Sequence, residues 1–210
     1  MLKQMRILTT SLLLALFLPL HAYATNDTVV LIHGYDGEPG DWYRAGITQQ
    51  ISRVGYIDGG PIRLFPRGLM GPGLKPTDKP TVYTISLPSA EAIMRQAEIL
   101  SASLFQLKQY TGDRPLTLVG HSAGGLVARA TLLQHPELNI HRLVSISAPH
   151  SGSNIARMAQ LVSDSPAGFM TEMMGIDNFA DAASLFKDMR PIGKNRFLQW
   201  LNSRPHPPLA

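Results

Sequence analysis

Leu116-Thr117-Leu118-Val119-Gly120-His121-Ser122-Ala123-Gly124-Gly125 is the stretch whose reading decides the fold. An apolar run enters Gly-x-Ser-x-Gly, and Leu126-Val127-Ala128-Arg129-Ala130 continues it as a helix-forming run. Strand, sharp turn and helix together give this pentapeptide chemical meaning. The turn strains the serine backbone and lifts its Oγ clear of the sheet. Gly120 and Gly124 lack a Cβ, which lets strand and helix cross closely. The N–H of Ala123, at the helix start, then faces the position where a negative oxygen would develop. Ser122 is therefore the candidate nucleophile, in an elbow built by Gly120, His121 and Gly124.

The flanking sequence alternates between strand and helix signals. Thr28-Val29-Val30-Leu31-Ile32 is a β-branched apolar run that predicts a buried parallel strand, and it leads into His33-Gly34-Tyr35-Asp36-Gly37. Gly40 to Val54 has helical spacing, with Trp42, Ile47, Ile51 and Val54 on or near one face. Gly55 to Lys79 is rich in Gly and Pro and is expected to be irregular. Its Phe65, Leu69, Met70 and Leu74 fit either a loop packed by its own side chains or the rim of an apolar cleft. Thr81 to Leu87 predicts a second strand. Pro88-Ser89 is expected to open a long helix, with Ser89 as N-cap and Ile93, Ala97, Leu100, Leu104 and Leu107 as the apolar face. Arg142 to Ser147 predicts the strand after the elbow helix. This order implies an α/β fold, a mostly parallel sheet with helices on both faces.

Three motifs agree in order. They are Val30-Leu31-Ile32-His33-Gly34-Tyr35, the run from Gly120 to Arg129, and Ser147-Ala148-Pro149-His150-Ser151-Gly152-Ser153. The last is similar to the Thr-Pro-His-x-Gly-Ser segment of bacterial lipases, with Ala148 in place of the threonine. From Val29 to Ser153 the chain resembles the α/β-hydrolase superfamily, in particular triacylglycerol lipases and esterases. The resemblance implies an oxyanion hole made by the N–H groups of Tyr35 and Ala123. It also implies cleavage of a lipid or other small ester through an acyl-enzyme on Ser122, with no cofactor and no metal. In that superfamily the chain order is serine, acid, histidine, so His33 is expected to stabilise its loop; His150 follows a strand whose end does not carry the triad base and is expected to be structural.

Asn154 to Met189 differs in texture, with much of the chain's methionine. Methionine suits surfaces that accommodate varied apolar shapes. In lipase-like relatives this region forms a helical lid, so 154–189 is expected to cap the site and to make any transient contact with a lipid interface. Ordinary packing of short helices fits the same composition. Phe197, Leu198 and Leu201 then mark a helix that Pro205 stops. No further strand follows Ser147. Asp164, Asp177, Asp181 and Asp188 fall in helix-like or loop sequence, and His206 sits between prolines.

In relatives such a helix leads into the acid-bearing strand. The triad acid and base, with the last strands of the sheet, are therefore expected beyond Ala210. Arg142 to Ser147 should then pair with Leu116 to Val119 on one side and with nothing on the other. A non-catalytic protein that binds lipid or a partner remains open at this point. So do thioesterase, amidase and phospholipid acyl-hydrolase chemistry on the same elbow.

The 210 residues suffice for a domain with a proper core, and the absence of cysteine excludes disulfides, thiolate catalysis and Cys-zinc sites. Lys3 and Arg6, the apolar run from Ile7 to Leu20 and Ala22-Tyr23-Ala24 predict an export signal cleaved after Ala24. The run is shorter than the ~20 residues of a membrane span. A secreted or periplasmic location follows as an expectation. Cleavage removes two basic residues and no acidic one, so the formal charge of +4 falls to +2. With no dense Lys/Arg cluster, that charge does not support nucleic-acid binding.

Overall fold

The computed structural model describes residues 26–154 and 182–207. The expected leader, Met1 to Ala24, and most of the expected cap, 155–181, lie outside the described residues. Among the described residues six strands form one sheet: β1 (Thr28–Ile32), β2 (Ile57–Phe65), β3 (Gly68–Met70), β4 (Thr81–Ile85), β5 (Leu116–His121) and β6 (Ile140–Ile146). Their order is β3-β2-β4-β1-β5-β6, and every pairing is parallel except β2 with β3. Among the described residues the α-helices are α1 (Pro39–Arg44), α2 (Ile47–Arg53), α3 (Ile93–Thr111), α4 (Ala123–Gln134), α5 (Ala183–Asp188) and α6 (Arg196–Ser203).

β1 and β4 are buried along their whole length, as central parallel strands must be. Their alternate residues feed two cores. Val30, Ile32, Tyr83, Ile85, Leu116 and Leu118 join a large cluster with α3, α4, α5 and α6. Val29, Leu31 and Val82 meet Trp42, with Ile47 and Ile51 beside them, on the opposite face. Helices therefore cover both faces. The apolar positions expected for α3 are all fully buried. Each large aliphatic among them contributes about 1.5–3 kcal/mol by leaving water.

Four sequence expectations need correction. The run from Gly40 to Val54 is two helices, because Gly46 takes a left-handed conformation (φ 70) between them. Gly55 to Lys79 is not simply irregular, since it contains β2 and β3. Gly59-Gly60-Pro61 hides β2 from a propensity reading, yet the sheet requires it. A Cβ on Gly59 would lie 2.2 Å from the Tyr83 ring. α3 starts at Ile93, not at Pro88-Ser89, which lie outside the helix. Its N-terminus is capped from a distance: Ile93 N donates to Asp188 Oδ2 at 3.0 Å. Ser89 is therefore not the cap.

β6 pairs with β5, and among the described residues no strand lies on its other side. Val144 and Ile146 are 42% and 41% exposed there. An edge that is both unpaired and apolar is what the sequence led us to expect at this strand.

Candidate active site

The elbow brings β5 and α4 into close contact. A Cβ on Gly120 would lie 2.5 Å from Gly124 O and Gly125 N, and one on Gly124 would lie 2.4 Å from His33 O. Only glycine permits both approaches. Ser122 sits at the crossing with φ 52 and ψ −125, a conformation L-residues rarely adopt. Its N–H donates to Ile146 O at 2.9 Å and its carbonyl accepts Gly125 N at 3.0 Å. The strained backbone is thereby held from both sides. Ser122 occupies the N-cap position of α4, but its hydroxyl makes no capping bond. The Oγ is thus not spent on holding the helix.

The β1 loop lies directly against this serine. A Cβ on Gly34 would meet Ser122 Cβ at 2.9 Å and Ser122 Oγ at 3.4 Å. The loop from His33 to Tyr35 and the start of α4 at Ala123 therefore flank the same hydroxyl. Asp36 (φ 53) and Ser147 (φ 52) are also strained, each just past the carboxyl end of its strand. Strain of this kind collects at functional sites. A cavity of about 330 Å3 opens beside the loop, lined in part by Tyr35, Asp36, Trp42 and His121.

His33 is buried and engaged on both nitrogens. Nε2 accepts the Leu87 N–H at 3.1 Å, which places the proton on Nδ1, 3.0 Å from Gly34 O. Burial depresses its pKa, and the bond to Gly34 with the charges of Asp41 and Glu38 opposes that shift. The ring ties the β1 loop to the chain after β4, the loop-stabilising part expected of it. His150 Nε2 lies 3.0 Å from Ser145 Oγ, and its carbonyl accepts Asn202 Nδ2 at 2.8 Å. Burial, then the nearby Arg129 and His206, push its pKa down.

No described histidine is hydrogen-bonded to Ser122 Oγ. His206 accepts from Arg129 Nε at 2.9 Å instead. Arg129 also donates to Asn202 Oδ1 at 2.6 Å, and so fixes α4 to the end of α6. Asp188 serves α3 through Ile93. Among the described residues no group of three His, Asp or Glu could hold a metal ion.

The residues the sequence reading missed are supports. Asn195 is 3% exposed, accepts Leu198 N at 3.0 Å as the cap of α6, and donates to Asp188 O and Arg190 O. An asparagine just before a helical apolar face was the available signal. Arg129 stands within the second motif, but its partners lie more than seventy residues away.

Comparison with known proteins agrees with this geometry. A family model for the alpha/beta hydrolase fold matches residues 71–193, more than half of the chain. A triacylglycerol lipase of Vibrio cholerae is 26% identical over 155 residues, covering 72% of this chain and 41% of the lipase. The chain thus spans less than half the length of that curated relative. The crystal structure of the lin2722 gene product of Listeria innocua superposes with a TM-score of 0.51 at 19% identity, over 61% of this chain and 53% of that one. This likeness bears on the fold alone. The chain belongs to the α/β-hydrolase family.

Proposed function

We propose that the protein is an exported serine hydrolase that cleaves carboxylic esters of lipids through an acyl-enzyme on Ser122. The observation that carries this reading is the strained, uncommitted Ser122 hydroxyl packed against the His33–Tyr35 loop. Ser122 Oγ attacks the ester carbonyl and loses its proton to a histidine base. The negative oxygen of the tetrahedral intermediate accepts the N–H groups of Tyr35 and Ala123. Collapse breaks the C–O bond, and the protonated base returns its proton to the departing alcohol. Water then attacks the acyl-enzyme by the same route, frees the fatty acid and restores Ser122. The base and its carboxylate come from outside the described residues.

Similarity to a triacylglycerol lipase supports lipid esters as substrates. The cap at 154–189, methionine-rich in sequence, is proposed to line the acyl side. One observation favours a second reading, a non-catalytic lipid-binding protein: no described histidine is hydrogen-bonded to Ser122 Oγ. Hydrolysis of p-nitrophenyl esters from acetate to palmitate by the full-length gene product decides between them. Turnover that Ser122→Ala abolishes supports the enzyme. Acyl-chain binding without turnover supports the alternative.

A further inference from the structure

We propose that the β2–β3 hairpin is a docking ridge for an anionic lipid surface. Cross-strand pairs place Arg63 opposite Met70 and Phe65 opposite Gly68, so these residues share one face. Leu64 and Leu69 share the other face and pack into the core. The outward face carries two large apolar side chains. Phe65 is 42% exposed and Met70 is 56% exposed, while both arginines, Arg63 and Arg67, are exposed as well. The Arg63 guanidinium stands 5.4 Å from the Phe65 ring centroid, which keeps a cation and an aromatic ring side by side.

Charge on this ridge is of one sign. From Gly59 to Thr77 the chain carries Arg63, Arg67 and Lys75 and no acidic residue. Neither Arg63 nor Arg67 has a carboxylate partner among the described residues. The ridge is also held firmly: Leu69 N donates to Gln106 Oε1 at 2.7 Å, fixing β3 to α3. A tip of cations and apolar groups, pinned to α3, matches an anionic surface. Arginine gains from negatively charged headgroups, and Phe and Met gain from entering the headgroup–acyl boundary. Two arginines are too few for a nucleic-acid footprint.

Strand register sets this ridge at the level of the serine. Ile62 is level with Ile85, Ile85 with Ile32, and Ile32 with Gly120. Phe65 therefore extends three residues past this level, and Ser122 lies two residues past it. β4 and β1 separate β2 from β5, so the tip stands about 14 Å to the side of Ser122, at ~4.8 Å per strand. The hairpin tip and Ser122 thus both lie just past the same level, at the carboxyl ends of the parallel strands. The choice of lipid rests on the proposed ester-hydrolase reading, but the binding test does not use hydrolysis.

The test is sedimentation of the full-length protein with vesicles of phosphatidylcholine alone or of equal phosphatidylcholine and phosphatidylglycerol. Binding is expected to the mixed vesicles, to weaken with salt, and to be slight on phosphatidylcholine alone. The double variants Arg63→Gln with Arg67→Gln, and Phe65→Ser with Met70→Ser, should each weaken binding on the order of tenfold. Their melting temperatures and their turnover of a water-soluble ester should match the parent. Equal binding by parent and both variants overturns the proposal, as does a parent that binds neither vesicle. A dimer that the Phe65→Ser, Met70→Ser variant dissociates would make the ridge a self-interface and also overturn it. Retained vesicle binding without ester turnover would leave the ridge standing and remove the enzyme reading.

Discussion

Gly124→Ala should loosen the protein where α4 crosses β1. The new Cβ would lie 2.4 Å from His33 O and 2.6 Å from Ile32 O. Both are backbone atoms of β1 and its loop, so no side chain can rotate away. Cβ contacts essentially never fall below 3.0 Å, and reaching that limit requires roughly 0.6 Å of movement between α4 and β1. Overpacking of this kind costs about 1–3 kcal/mol. Alanine's better helix propensity offsets at most ~1 kcal/mol. A net loss of about 1–2 kcal/mol lowers the melting temperature by roughly 2–8 °C in a chain of this size. Gly193→Ala is the control, because a Cβ there meets nothing within 4 Å. Urea and thermal melts of parent, Gly124→Ala and Gly193→Ala supply the comparison. A Gly124→Ala protein as stable as the parent would refute the close crossing of strand and helix.

Gly34→Ala puts a Cβ 2.9 Å from Ser122 Cβ, so ester turnover should fall on the order of a hundredfold with much less change in melting temperature, measured side by side. Stability should decline as pH falls below the ordinary histidine range. The folded state holds His33 neutral with a depressed pKa, so its contribution is complete above the unfolded value and is lost as pH drops through the folded one. Urea melts at pH 7.5 and pH 5 should show a smaller drop in His33→Asn than in the parent. Asp188→Ala removes the acceptor for Ile93 N and should cost about 1 kcal/mol in urea melts. Asp188→Asn keeps an acceptor and discards a carboxylate whose ionisation burial opposes, so at pH 7 it should match or exceed the parent.

Much of the fold was legible because local signals and global packing coincide. β1 and β4 are unbroken apolar and β-branched runs, and their burial at the centre of the sheet is what those runs encode. β2 was illegible because Gly59 answers to the Tyr83 ring and Gly60 to a left-handed backbone (φ 78), not to strand propensity. The start of α3 was illegible for a related reason, since its cap, Asp188, is 95 residues away in sequence. At the site, the adjacency of His33–Tyr35 and Ser122 followed from two motifs on neighbouring strands. The Arg129–Asn202–His150 connections did not, because no local pattern links α4, α6 and the loop after β6.

The most direct test of Ser122 as nucleophile is the site of covalent capture by a fluorophosphonate. The full-length protein should gain one phosphonyl group, and peptide mapping should find it on Ser122. Ser122→Ala should take up none and should lose ester turnover by several orders of magnitude. Label on another serine, or full turnover in Ser122→Ala, would contradict the account.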